Sequence, residues 1–415
     1  MTRTAEDIFC VDRPELYDAE TSGPLLARMR RDFPVLRYER ANVWVLSRYD
    51  DIKSALSSRT QYSSAKGTFL NDAMNSAGLD GESVANSFFP DGAEFVLTLD
   101  PPRHGDVRKL MTPAFAARVI AAMEPDVRAV CRQIISKIEP GEPLDFIRDA
   151  ARLLPIHVVS QLLGIPPAEI DVDRLQLWSD ELMKSGAALS REEFDIARAN
   201  TMDMRRYFLD LVNRKRAAPG GDDLLSTLTE AQLDSKPLSE ANILMLAMTT
   251  LVAGNTTTRA LVAGSIFNFA THPEQAALLV EDLGLARQTV EETLRYTPAL
   301  PGFMRTAAED VQVRGQRIAA GDFVYLLLFA GNRDEQYWTD GDRFDISRPA
   351  KPAVLTFGHG AHLCIGAALA RLEARCFLEE LFARFKGVRF AGAPKRYASF
   401  LEYTWTSLPV VFDAR

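Results

Sequence analysis

Cys364 stands in the stretch FGHGAHLCIG, between a glycine-rich loop and the start of a predicted helix, IGAALARLEARCFLEEL. At a helix N-terminus the free N–H groups and the dipole favour a thiolate, which suits a cysteine there to bind a metal or act as a nucleophile. Gly358, Gly360 and Gly366 let the backbone come close to a flat or bulky partner. A closed zinc site would take His359, His362 and Cys364 but needs a fourth ligand, and Cys10, Cys131 and Cys376 have no matching spacing. A nucleophilic cysteine needs a histidine base and a third group to orient it. A structural cysteine needs neither. A lone thiolate on haem iron would explain the glycines, the helix start and a buried Gly/Thr helix elsewhere in the chain together.

That Gly/Thr helix is read in SEANILMLAMTTLVAGNTTTRALVAGSIFNFATHP, which runs from a plausible N-cap at Ser239 to His272-Pro273 with no other proline. Some 30 residues of helix would be about 45 Å long, enough to cross a domain. It is apolar nearly all round, which predicts burial. At its centre, Gly254 costs about 1 kcal/mol against alanine, and three threonines follow whose hydroxyls need partners. Such a turn marks either a close helix crossing or a ligand site.

Other elements must bring these two segments together. Residues 33 to 49 alternate as a strand pair, while 50 to 59 and 105 to 138 read as helical. Residues 62 to 98, rich in Ser, Asn, Gly and Asp, read as an irregular surface loop. Residues 150 to 217 are helical with a break at Gly164 and Pro166-Pro167, and LARQTVEETLRYTP is a helix stopped at Pro298. FMRTA, DVQVRGQRI and DFVYLLLF are β-prone, 365 to 386 is a helix, and TSLPVVF is β-prone again. The whole is mostly α with minor β.

The chain has 415 residues, a prior of two or three domains at roughly 150 each, but no repeat or linker divides it, which favours one. Hydrophobic residues at 47% and charged ones at 25% are ordinary for a globular protein. The charge, 48 − 56 = −8, argues against nucleic acid and anionic membrane as partners. The start carries no apolar run behind a basic stretch, and nowhere do about 18 apolar residues follow one another, so no targeting or spanning segment is expected. Four cysteines without a C-x-x-C pair suggest a reducing, cytoplasmic compartment.

FGHGAHLCIG resembles the signature F-G-x-G-x-x-x-C-x-G of the cytochrome P450 haem-thiolate monooxygenases, and the order of motifs is similar across most of the chain. The resemblance implies a P450-like single domain over 1–415, with a haem-thiolate loop at 357–366, a distal helix at about 240–271 and a substrate-access loop at about 62–98. It implies haem b, with Cys364 as the iron ligand, Phe357 packed by the sulfur and Gly358 in the cofactor loop. AGNTTT resembles A-G-x-[D/E]-T-[T/S], in which Gly254 would make room for O2 and Thr257 would steady it and help deliver protons. Thr256 departs from the acidic position, and a threonine cannot serve there as a general acid at neutral pH. Thr256, Asn255 and ordered water would have to replace the carboxylate, unless the acid comes from elsewhere, the substrate included.

Glu292-x-x-Arg295 places two charges on one helix face, by itself an ordinary surface pair worth at most about 1 kcal/mol. The resemblance implies instead a buried structural set with Arg348 of RFDISRP, holding the cysteine loop. LDPPRHGDVRKLM resembles D-P-P-x-H-x-x-x-R, which implies that His104 and Arg108 bind haem propionates, with Arg305 and His359 in two further such positions. By family position the pocket would take in 66 to 98, Leu246, Thr250, Ala253, Leu300, Phe303 and Leu401, with nearby Glu402 turned to solvent.

Arg103, Arg108, Lys109 and Arg118 outweigh Asp106, and Arg371 and Arg375 outweigh Glu373, which predicts a basic face for docking an acidic ferredoxin. With no reductase-like domain in the sequence, electrons would come from a separate ferredoxin and ferredoxin reductase drawing on NAD(P)H. The implied activity is insertion of one atom of O2 into a C–H bond of a small, mainly apolar substrate by a monomeric enzyme. Alternatives are a haem-thiolate enzyme for coupling, desaturation or peroxide-driven chemistry, and a non-enzymatic haem sensor.

Overall fold

A computed structural model describes residues 9–69, 88–184, 190–397 and 401–415 of the chain. The helices that position the site are α1 (Arg103–Met111), α2 (Leu153–Leu163), α3 (Val172–Met183), α4 (Glu240–Thr271), α5 (Ala286–Tyr296) and α6 (Ala367–Arg384). Ser239 caps α4 as its position predicts, its side chain accepting from the Asn242 N–H, and the helix ends at His272 before Pro273. At 32 residues it is the spine of the fold.

The burial of α4 is divided. Its first half, Ile243 to Val252, packs into an apolar cluster with Ile156, Val159 and Leu163 of α2 and Leu175, Trp178 and Leu182 of α3. Its second half, Leu261 to Phe269, packs into another cluster with Leu154, Val158 and Leu162 of α2 and Leu369, Leu372 and Phe377 of α6. AGNTTT falls between the two. Gly254 is explained by the crossing with α2, because a Cβ there would lie 3.0 Å from Val159 Cγ2. Close helix packing is therefore one contact that the missing side chain serves.

The predicted strand pair forms as β1 (Val35–Tyr38) and β2 (Val43–Leu46), antiparallel. With β3 (Tyr62–Ser63), β4 (Phe303–Ala307) and β5 (Phe323–Leu326) they make a five-stranded sheet in the order β1-β2-β5-β4-β3. The start of the expected 62 to 98 loop is thus an edge strand, held by pairing with Ala307 and Thr306 rather than by its own weak β pattern. Residues 70 to 87 of that loop lie outside the described residues. The expected helix at 105 to 138 is three helices, with a break at Thr112–Phe115 where Pro113 removes a donor. Among the described residues no helix is long and apolar enough to cross a membrane.

Glu292 and Arg295 on α5 are 3% and 1% exposed, which overturns the ordinary surface reading of an E-x-x-R pair. Arg295 donates through Nε and Nη2 to the two oxygens of Glu292 at 2.7 and 2.8 Å. Its remaining donors reach the carbonyls of Asn332, Gly341 and Arg343, while Glu292 Oε1 accepts from the Asp345 N–H and lies 3.4 Å from Arg348 Nε. Arg348 in turn donates to the carbonyls of Thr339 and Asp340. The Asp- and Arg-rich loop has no regular structure of its own, and these bonds hold it. From there Asn332 bonds Thr356 Oγ1 and the Leu355 N–H, and Thr356 Oγ1 donates to the Leu294 carbonyl, which ties α5 to the approach of the cysteine loop. Replacing Arg295 by Met is expected to cost about 3–5 kcal/mol in urea unfolding, because Glu292 and three carbonyls are left buried without their main donor.

Candidate active site

The cysteine loop folds through two short turns, Leu355–Phe357 and Gly360–His362. Gly358 and Gly360 have φ of +73° and +70°, which an L side chain seldom adopts, and a Cβ on Gly360 would lie 2.6 Å from the Leu56 carbonyl oxygen. The glycines here answer to the turn and to the protein's own backbone. The Cys364 N–H donates to the Phe357 carbonyl at 2.8 Å, closing the loop just before α6. The Phe357 ring lies under the Arg371 guanidinium, 4.5 Å from its centroid.

Cys364 keeps solvent-accessible surface, as does Leu363 beside it, yet protein atoms close around the sulfur and desolvation pushes its thiol pKa up. A thiol both accessible and desolvated sits in a recess of the protein rather than on its open surface. Opposing the shift are N–H groups of Gly366 and Ala367 at the head of α6 and the charges of Arg108 and Arg371, all of which favour the thiolate. The centre of α4 has the same character. Thr249, Ala253 and Thr257, four residues apart on one face, retain exposure in a helix most of whose central residues are buried. Thr257 Oγ1 donates to the Ala253 carbonyl at 2.7 Å and Thr256 Oγ1 to Val252 at 3.2 Å, so both hydroxyls bond back along the helix.

Of the pocket residues expected on α4, Ala253 therefore lies on the open face, whereas Leu246 is fully buried and Thr250 is 7% exposed. The neighbour at position 249 takes the place expected of 250, and a four-residue count back from Ala253 would have found it. Leu300 and Phe303 are half-buried at the start of β4, and Leu401 is buried.

His104 and Arg108 on α1, Arg305 on β4 and His362 form a cluster of basic groups. The rings of His104 and His362 lie 4.0 Å apart. Burial and the neighbouring cations pull the His362 pKa down to about 3, and burial lowers those of His104, Arg108 and Arg305, the last to about 10. Asp100, already engaged by Ser63 and the Ser64 N–H, is the carboxylate that acts on His104, Arg305 and His362. Arg305 Nη1 finds a carbonyl, Met304, and Arg108 Nη2 another, Leu363. Two arginine charges with so little counter-charge, beside two neutral imidazoles that can donate and with Arg108 acting on the Cys364 thiol, fit a ligand that brings anionic groups close to the sulfur. His359 is not among them. Its Nδ1 pairs with Ser57 Oγ on the exposed side of the loop, and the histidine in the cluster is His362.

Several surface expectations change. Arg103 is bound by Glu94 and Asp234, Arg371 by Glu291, and Arg375 by Glu124 and Glu379, so the expected excess of positive charge is largely neutralised within the chain. Glu373 is no surface counter-charge. It is buried, and desolvation raises its pKa well above the carboxylate range. Lys109 and Arg118 remain exposed.

Glu402 also departs from expectation, being 3% exposed instead of facing solvent. Burial lifts its pKa to about 7 against the pull of Arg259, 3.9 Å away, with Asp180 raising it further; Tyr397 feels the charges of Glu402, Asp180 and Glu181 alike, and Glu181 pairs with Lys184. Since the folded protein holds this proton more tightly than the unfolded chain, the contribution to stability is present below the unfolded carboxyl pKa and is lost as pH rises through 7. Glu402→Gln is accordingly expected to raise stability at pH 8 by on the order of 2 kcal/mol and to change it little at pH 5, measured by urea unfolding at both.

The Cytochrome P450 family model matches residues 191–388. The chain is 35% identical over 375 residues to a cyclomarin C epoxidase of Salinispora arenicola, covering 90% of this chain and 91% of the relative. It is 35% identical over 359 residues to the mycinamicin IV hydroxylase/epoxidase of Micromonospora griseorubida, covering 85% and 84%. Among solved structures, a cytochrome P450-153 from Novosphingobium aromaticivorans superposes with a TM-score of 0.86 at 27% identity, over 97% of this chain and 99% of that one. With near-complete coverage of relatives above 30% identity, a mostly helical fold and a desolvated thiol at the head of a helix, the chain belongs to the cytochrome P450 family and is a haem b monooxygenase.

Proposed function

We propose that this enzyme inserts one oxygen atom into a C–H bond of a small, mainly apolar organic molecule: RH + O2 + NAD(P)H + H+ gives ROH + NAD(P)+ + H2O. The observation that carries this reading is the placement of the Cys364 thiol at the head of α6, accessible yet desolvated, with the charges of Arg108 and Arg371 acting on it. Cys364 would hold the iron, and His104, Arg108, Arg305 and His362 the two propionates. Bound haem supplies O2 binding and O–O cleavage, which thiolate donation favours. The chain's own part is to position the substrate, exclude water and deliver protons.

Thr249, Ala253, Leu300 and Phe303 would form the pocket wall over the reacting C–H bond. Small and apolar groups dominate that set, and two hydroxyls, of Thr249 and Thr257, are spent on helix carbonyls, which supports a substrate that offers few polar groups there. Thr257 can hold a proton donor for the oxygen atom that leaves as water, since its hydroxyl both donates and accepts. The interlock of the two large apolar clusters through Ala114 and Phe115, which pack against both, supports one domain. Four free cysteines support a reducing, cytoplasmic setting.

Electrons would arrive from a ferredoxin, reduced by NAD(P)H through its reductase, docking near Lys109 and Arg118, which are exposed and, apart from the 3.4 Å contact of Lys109 with Asp106, have no ion pair among the described residues. Lys109→Glu with Arg118→Glu is expected to slow ferredoxin-supported reduction about tenfold at low salt, with the difference vanishing at high salt. Equal rates at low salt would place the docking elsewhere. The reaction itself is tested with 18O2. One labelled atom per product molecule is expected, and Thr257→Ala should lower product per NAD(P)H consumed while hydrogen peroxide rises. Unlabelled product would contradict the monooxygenase reading of the substrate chemistry.

A further inference from the structure

On the outer side of α4, opposite its open face, buried polar groups run outward in a connected line. Asn255, fully buried, donates through Nδ2 to Gln176 Oε1 on α3 at 3.3 Å, and Gln176 Nε2 donates to Asp180 Oδ1 at 2.8 Å. Asp180 reaches the surface, with 42% of its side chain exposed, and also meets Arg259 Nη1 at 3.1 Å. Arg259, one helical turn from Asn255, leads on to Glu402.

The line is incompletely bonded. Asn255 Oδ1, Arg259 Nε, Glu402 Oε1 and Glu181 Oε2 are all buried with no hydrogen-bond partner in the protein. Each such atom costs about 1–3 kcal/mol if left dry, and several in one polar neighbourhood is the setting in which buried water is held. Asn255 also adjoins Thr256, where the family pattern has a carboxylate and this chain has a hydroxyl. We infer that Asn255 and Gln176 hold ordered water in a path from Asp180 at the surface to the Thr256–Thr257 turn, and that this path replaces the missing carboxylate.

The inference rests on the proposed reading of Thr257. The reaction consumes two electrons and two protons per O2, both protons ending in the water released, and on this inference they cross the buried wall of α4. Side-chain amides do not ionise, so Asn255 and Gln176 act as positioning residues that orient water, along which protons hop. Asp180 exchanges them with solvent. The Thr256 hydroxyl, bonded to Val252, can accept on one side and donate on the other. Glu402, whose proton is released near neutral pH, lies where it can buffer the path.

A crystal structure of the haem-loaded resting protein is expected to show ordered water within hydrogen-bond reach of Asn255 Oδ1 and Arg259 Nε, lost in Asn255→Leu. In turnover, Asn255→Leu and Gln176→Leu should each lower product per NAD(P)H about tenfold and enlarge the solvent deuterium isotope effect, while Asn255→Asp, which keeps the acceptor, retains coupling. Asp180→Asn should move the pH profile of coupling. A dry site, or unchanged coupling in both Leu variants, overturns the inference. If Thr257→Ala uncouples the enzyme and the Leu variants do not, the path is wrong and the reading of Thr257 stands. If Thr257→Ala leaves coupling unchanged, both fall.

Discussion

Glu292 and Arg295 bury two full charges against each other, a state tolerable only where nearly every donor and acceptor is used. The geometry meets that demand: the guanidinium spends itself on two carboxylate oxygens and three loop carbonyls, and the carboxylate takes an N–H and a second arginine. Its consequence is positional. The loop between β5 and the cysteine turn contains little that could fold alone; it is fixed to α5 by these bonds and by the Thr356–Leu294 contact, and its two ends are tied together by Asn332–Leu355. The place of Cys364 relative to α4 is therefore set by an ion pair far from the chemistry. A buried charge network is a poor source of stability but a strict source of register, and register is what a metal-binding loop needs.

The long helix meets the complementary requirement. Its two halves are fixed in separate apolar clusters, which leaves the AGNTTT turn between them to be shaped by polar contacts and by the crossing at Val159. Packing secures the ends, and the middle is free to leave Thr249, Ala253 and Thr257 accessible on one side and to turn Asn255 to a polar line on the other. On the proposed reading, the same short stretch of helix separates substrate from solvent while offering protons a way across.

Legibility in the sequence followed the range of the forces involved. The cap at Ser239, the stop at Pro273, the strand pair at 33 to 49 and the cysteine turn are set by neighbours along the chain, and their residue types announce them. The edge strand at Tyr62–Ser63 was not legible, because its partner is β4, some 240 residues later. Spacing alone left the E-x-x-R pair as a surface contact, since burial depends on loops that reach it from residues 332 to 348. His359 and His362 sit three apart in one motif, and only the fold distinguishes the one beside Ser57 from the one beside His104. The expected basic face failed for a related reason: a count of charges along a segment omits acids such as Glu94, Glu124 and Glu291 that arrive from elsewhere to pair with them. Glu402 and Glu373 show the converse, charged residues that the fold takes inside.

That Cys364 holds haem iron as a thiolate, with the rest of the chain arranged to keep it there, is tested most directly by the spectrum of the reduced protein under carbon monoxide. The prediction is a Soret band shifted far to the red of that of histidine-ligated haem proteins, abolished in Cys364→Ser while haem is still bound through His104, Arg108, Arg305 and His362. An unshifted band in the wild type, or a shifted band that survives in Cys364→Ser, would contradict it.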